Sequence, residues 1–189
     1  MKFADRVLRA YRARVAVREL PRSAGAVFDI GCDDGWLLDS LPSTVTRRDG
    51  CDPLAEPTAA AGRTILRGFF PAAVESTPEA RGYDAVIALA TFEHFNAADL
   101  QASSSAIASM LNGGGRLIVT VPHPLVDKIL HLLMFLRIID GQEAHQHHGF
   151  DPRTLADYLP DLRLVKRRRF QLGLNYLFVF EPKAHEQSA

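Results

Sequence analysis

Two short acidic segments carry residues suited to ligand chemistry: Asp29-Ile30-Gly31-Cys32-Asp33-Asp34-Gly35 and Gly50-Cys51-Asp52-Pro53. Glycines at 31 and 35 let the backbone turn tightly and approach a bound molecule, with a helix N-terminus following. A nicotinamide-type phosphate loop needs G-x-G-x-x-G, so glycine at 31 and 35 only disfavours dinucleotide binding. Asp52 lies 21 residues beyond Gly31. A carboxylate at the end of a second strand can accept both hydroxyls of a nucleoside ribose.

Histidine titrates near neutral pH and can take a proton from an attacking hydroxyl or amine. His94, His123 and His148 are the candidate bases. His94 follows the fourth predicted strand and His123 the fifth, and each can equally orient a loop. His148 closes the run His145, His147, His148, an H-x-H-H pattern that could ligate a metal. Without Cys, Asp or Glu partners at regular spacing, the run reads instead as part of a substrate pocket or a polar loop, and no metal is expected.

The surrounding pattern alternates strands with helices. Phe3, Val7, Tyr11 and Val15 stand four apart with arginines between them, predicting a covering helix over 1–20 with a basic outer face. Ala26–Ile30 reads as a strand, Trp36–Leu41 as a helix, Thr44–Cys51 as a strand, Ala55–Gly62 as a short helix and Thr64–Leu66 as a strand. Tyr83–Ala90 is a nearly continuous apolar run, Ala97–Leu111 is helical up to Asn112-Gly113-Gly114-Gly115, and Arg116–Val121 is rich in β-formers. Leu162–Phe170 and Asn175–Phe180 flank Gly173 as an antiparallel pair. Apolar strands alternating with helices predict an α/β fold with a mostly parallel sheet covered on both faces.

The connection 122–150 is long for its place and reads as an insertion or lid. The second half of 125–139 is apolar on nearly every side and needs a cover. Core or homodimer contact is the plainer reading, and a hydrophobic or lipid-linked substrate is the other. The chain is expected to form a single domain over 1–182, with a flexible tail at 183–189.

Composition narrows the class. The chain has 189 residues, 47% of them hydrophobic, enough for one full core. Its 22 Lys and Arg balance 22 Asp and Glu, so no net field draws it to nucleic acid or an anionic membrane. The basic cluster Arg163 and Lys166–Arg169 reads as a solvated strand edge in preference to a phosphate contact. Two cysteines beside apolar runs suit buried thiols of a cytoplasmic protein. The stretch Leu125–Ile139 is too short and too charged to span a membrane.

The segments Val27–Gly35, Gly50–Pro53, Tyr83–Ile87, Phe92-Glu93-His94 and Leu111–Leu117 resemble, in order and spacing, those of the class I S-adenosylmethionine-dependent methyltransferases, over about Ala26 to Pro182. The resemblance implies a Rossmann-like, seven-stranded sheet whose last strand is antiparallel. It further implies S-adenosylmethionine as cofactor, with Asp29, Gly31 and Gly35 shaping its loop and Asp52 holding the ribose. Cys32, Asp33 and Pro53 would join that site, and the backbone at Leu89 and Ala90 would face the methionine part.

Two departures stand out. Asp33 occupies the place of the loop's usual third glycine, where its side chain either meets the ligand or lies at the surface and caps the next helix. Phe69 follows Gly68 where the family often has an acid, leaving adenine to stacking and backbone contacts. The implied activity is methylation of a small-molecule acceptor at oxygen, nitrogen or carbon. The alternative is a non-catalytic, methyltransferase-like binding protein. A nucleic-acid base methyltransferase is disfavoured, because Ala88-Leu89-Ala90-Thr91 stands where an Asn-Pro-Pro-Tyr-type motif would be.

Overall fold

The computed structural model describes residues 3–123 and 151–183. Most of the insertion 122–150, with its apolar stretch and proposed dimer contact, and the tail after 183 lie outside these residues. The described chain forms helices α1 (Phe3–Val17), α2 (Trp36–Ser40), α3 (Ala72–Glu75) and α4 (Ala97–Met110). Its strands are β1 (Ala26–Ile30), β2 (Arg47–Asp52), β3 (Thr58–Ala60), β4 (Arg63–Arg67), β5 (Tyr83–Leu89), β6 (Leu111–Pro122), β7 (Leu162–Phe170) and β8 (Asn175–Pro182).

All eight strands join one sheet in the order β3-β4-β2-β1-β5-β6-β8-β7. β3 runs antiparallel to β4, and β8 runs antiparallel to both β6 and β7, so the other six strands point one way. The expected antiparallel last strand is therefore present, inserted between β6 and β7.

The eighth strand comes from a segment expected to be helical. Ala55–Gly62 has helix-forming alanines, but Pro57 denies a helix its backbone donor and Gly62 turns at φ +73°. A two-residue loop then pairs Ala60 with Arg63 in a hairpin. A Cβ on Gly62 would lie 2.5 Å from the Thr46 carbonyl oxygen, so the close approach there requires glycine. Beyond the insertion a 3₁₀ run, Pro152–Tyr158, leads toward β7. Pro152 enters it directly, and the Asp151 side chain accepts from the Arg153 amide.

The strands are buried on both faces because successive side chains point to opposite sides. Phe28, Ile30, Val86, Ala88, Val119 and Phe178 pack with Leu100, Ile107 and Met110 of α4 and with Leu155 and Leu159. On the opposite face Val27, Ala85, Ile87, Ile118 and Leu177 pack with Ala13, Val15 and Ala16 of α1 and Leu37 and Leu38 of α2. Only the second half of α1 is seated in this way. Val7, Leu8 and Tyr11 remain about half exposed, although Tyr11 reaches the Phe170 ring at 6.0 Å between centroids.

α4 starts cleanly because the Asn96 side chain accepts from the Asp99 amide while Asp99 accepts from the Asn96 amide. At the opposite end of β2 and β5 from their functional termini, buried Asp49 accepts from Arg47 (2.7 Å), the Tyr83 hydroxyl (2.8 Å) and the Thr64 amide (2.6 Å). This network satisfies a carboxylate that burial would otherwise destabilise. Among the described residues, no helix is long and apolar enough to cross a membrane.

Candidate functional site

The carboxyl ends of β1, β2 and β5 meet around the two acidic segments. Beyond β1 the backbone enters the left-handed region at alternate residues: Gly31 (φ +76°), Asp33 (φ +49°) and Gly35 (φ +74°). At Gly31 the space itself forbids a side chain, since a Cβ would lie 2.6 Å from Thr91 Oγ1. The Thr91 hydroxyl donates to the Ile30 carbonyl at 3.1 Å, so the chain after β5 packs directly on this turn.

Asp33 keeps the conformation that a glycine would take there, as Asp tolerates it better than most residues. Its side chain turns outward, 73% exposed, with one oxygen 3.5 Å from Arg9. It does not cap α2. Gly35 is the N-cap and carries no side-chain cap, and Asp34 forms an Asx turn just before it, its Oδ1 accepting from the Trp36 amide at 3.1 Å while Arg9 binds it at 2.5 Å. The Arg9 guanidinium holds the Asp34 carboxyl below its ordinary range and also lies 5.1 Å from the Trp36 ring centroid. α1 is thereby fastened to the turn.

Asp52 ends β2 with both carboxylate oxygens positioned. Oδ1 accepts from the Leu54 amide (2.8 Å) and Oδ2 from the Asp33 amide (3.2 Å). Each oxygen keeps capacity for another donor. Asp29 lies at the end of β1, 3% exposed. Burial pushes its carboxyl up to about 8, the Arg9 charge opposes that rise and the Asp52 charge adds to it. Cys32 and Cys51 are free thiols buried beside it. Burial, with the nearby Asp29 and Asp52 charges, pushes the Cys32 thiol up to about 12, so it is no nucleophile at neutral pH.

These residues line a cleft of about 690 Å³, within the range of small-molecule sites. Of the residues singled out in the sequence, Asp29, Gly31, Cys32, Asp33, Asp52, Pro53, Phe69, Leu89, Ala90 and His94 line it. Gly35 shapes the turn without lining the cleft. His94 ends a 3₁₀ turn, Phe92–His94, whose Phe92 and Glu93 are buried while His94 is exposed. His123 does not line the cleft: its ring stacks on Tyr176 at 5.3 Å, and its amide donates to Leu174. His148, with the rest of the H-x-H-H run, lies outside the described residues.

Sequence reasoning missed Arg9, Arg12, Trp36, Leu54, Thr91 and Phe95, all of which line the cleft. Leu54 had a local signal, as an apolar residue following Asp52-Pro53 in a turn. It is 83% exposed and Phe69 is 74% exposed, so two large apolar side chains stand uncovered on the cleft rim. Arg9 had none, because its partners lie 25 residues away.

Comparison with known proteins bears on the fold and the family. Among curated protein sequences, none matches the chain. Among solved structures, an S-adenosylmethionine-dependent methyltransferase from Clostridium acetobutylicum is similar at TM-score 0.66 and 11% identity, covering 94% of this chain and 95% of that one. The N-methyltransferase NodS from Bradyrhizobium japonicum is similar at TM-score 0.58 and 14% identity, covering 95% and 97%. A chain from the complex of the Haloferax volcanii Trm112 methyltransferase activator is similar at TM-score 0.65 and 16% identity, covering 93% and 90%. At such identities the likeness shows the fold. A family model described as a methyltransferase domain matches residues 2–162. The chain, with its mostly parallel sheet and its cleft at the ends of β1, β2 and β5, belongs to the methyltransferase-domain family.

Proposed function

We propose that this protein is an S-adenosylmethionine-dependent methyltransferase that acts on a small-molecule acceptor at oxygen, nitrogen or carbon. The observation that carries this reading is the left-handed turn Gly31-Asp33-Gly35 held against the Asp52 carboxylate. The residues fit the cofactor's chemistry. Asp52 offers two oriented oxygens to a ribose diol, the exposed Leu54 and Phe69 offer apolar faces to an adenine, and Asp29 offers a buried carboxyl group that the approach of a cationic group would return to its ionised form. The non-catalytic alternative draws on Asp33 and Phe69, and the positive φ of Asp33 removes one of those two arguments.

The cofactor, when bound, supplies an electrophilic methyl on a sulfonium sulfur. The protein's own contribution is placement. The Leu89-Ala90 backbone is fixed by the Ala90 amide on the Thr120 carbonyl at 2.9 Å, and it forms the wall against which the reacting groups are aligned. Orientation of this kind can lower a barrier by several kcal/mol. His94 accepts the acceptor's proton, a step worth about 10²- to 10⁴-fold. The free, buried thiols suit a reducing compartment such as the cytoplasm.

Calorimetric titration with S-adenosylmethionine and S-adenosylhomocysteine tests the reading, with Asp52→Ala as control. Micromolar binding that the substitution abolishes is expected. Absence of binding to well-folded protein near millimolar ligand overturns it.

A further inference from the structure

A second recess, of about 140 Å³, opens between Arg153, Arg167, Arg168, Arg169 and Tyr176. Strand register places it level with the cleft: Arg168 pairs with Leu177, Leu177 with Thr120, and Thr120 with Leu89. Three inter-strand steps of ~4.8 Å separate β5 from β7, so the recess stands ~14 Å along the same sheet edge from the cleft wall.

The cations of β7 fall into two groups. Arg163 binds Glu181 at 3.1 Å and Lys166 binds Glu19 at 2.9 Å, both outside the recess. Around the recess, Arg153 is paired with Asp151 at 2.7 Å, while among the described residues Arg167, Arg168 and Arg169 form no ion pair with a carboxylate. Arg169 instead donates to the Tyr176 hydroxyl at 2.9 Å and lies 5.1 Å from its ring centroid. That bond occupies a lone pair of the hydroxyl and leaves its proton free to donate. Arg167 and Arg169 share the sheet face of Tyr176, whereas Arg168 alternates to the other face. With Arg153, Arg167 and Arg169 gather three guanidiniums at one small recess against the single carboxylate of Asp151, a concentration of positive charge that an anion would neutralise. A tetrahedral dianion matches their fork geometry and their charge better than a single carboxylate does.

We propose that this recess binds a phosphate group, and that the group belongs to the methyl acceptor. The acceptor is then an elongated phosphorylated molecule whose nucleophile lies on the order of 14 Å from its phosphate. Its identity as acceptor rests on the methyltransferase reading, whereas the phosphate site does not.

Titrating the full chain with inorganic pyrophosphate, followed by ³¹P NMR, tests the site without cofactor or turnover. Saturable binding is expected, about tenfold weaker in the double variant Arg167→Gln/Arg169→Gln and unchanged in Arg163→Gln. Co-sedimentation with phosphatidylcholine vesicles, with and without phosphatidic acid, distinguishes a lipid phosphate from a soluble one. Binding to phosphatidic acid that depends on the same arginines supports the site and assigns its source. Equal weakening in Arg163→Gln, or no saturable binding to either probe, overturns it. Arginine-dependent binding of a mixed oligonucleotide without pyrophosphate binding also overturns it, in favour of a polymer. Pyrophosphate binding without S-adenosylmethionine binding sinks the methyltransferase reading and leaves the phosphate site standing. The reverse result does the opposite.

Discussion

The Asp33 amide donates to Oδ2 of Asp52 at 3.2 Å, joining the turn after β1 to the end of β2. Asp33 makes this bond from the left-handed region (φ +49°), with its side chain turned to solvent. One carboxylate thus organises the turn and presents its remaining lone pairs to the cleft. With Asp at 33 the turn still takes a positive φ at that position, between Gly31 and Gly35.

Replacing Asp52 with Asn keeps the size of the group but removes its charge and half of its acceptor capacity. Affinity for S-adenosylhomocysteine should fall about tenfold or more, while unfolding free energy changes by no more than about 1 kcal/mol, since the internal bonds it makes are exposed. Calorimetry and thermal melting measure the two effects separately, and a large melting shift would mark Asp52 as structural instead.

Position 33 distinguishes backbone from side-chain effects. Asp33→Gly should alter stability by less than about 1 kcal/mol, because relief of the positive φ offsets loss of an exposed contact with Arg9. Asp33→Val should destabilise by about 1–3 kcal/mol, as a β-branched residue resists that conformation. Urea denaturation of both variants checks the order.

The contact between Gly31 and Thr91 can be read by a double-mutant cycle. Gly31→Ala combines a strained φ with a Cβ at 2.6 Å from Thr91 Oγ1, and about 2–4 kcal/mol of destabilisation is expected. Thr91→Ala alone should cost about 1 kcal/mol for its lost bond to Ile30. The double variant should be more stable than the sum of the two singles implies, because removing Oγ1 and Cγ2 clears the nearest atoms. Strict additivity would contradict the packing described.

Asp29 gives the protein a pH signature. Burial, only partly opposed by Arg9, raises its folded-state carboxyl to about 8, against about 3.9 in an unfolded chain. Between these values the folded state holds a proton that the unfolded state releases, so this group's contribution to stability declines as pH rises from about 4 to about 8 and levels off above. Asp29→Asn should remove that decline. Chemical denaturation at pH 5, 6, 7 and 8 makes the comparison, and identical slopes for the two proteins would refute it.

Much of the fold could be read along the chain. The buried runs of β1 and β5, the stop after α4 and the paired strands β7 and β8 stand where apolar periodicity and turn residues placed them. Ala55–Gly62 was misread because alanine's helix propensity is weak beside Pro57 and a tight Gly62 turn. The acidic segments were recognisable from type and spacing. The roles of Asp33 and Asp34 were not, since both are acids beside one glycine and only the path of α1 makes Arg9 select Asp34.

By itself the sequence determined which segments pair as buried strands, where the turns beyond β1 and β2 fall, and which carboxylates stand at those turns. Hydrophobic period and glycine placement are local properties and act over a few residues. Tertiary structure alone decided that His94 lines the cleft while His123 stacks on Tyr176, that Arg9 fastens α1 to the turn, and that Arg168 stands level with Leu89. Those outcomes depend on strand register and on helix seating between segments far apart in the chain. A one-residue shift in register would have moved every side chain to the other face.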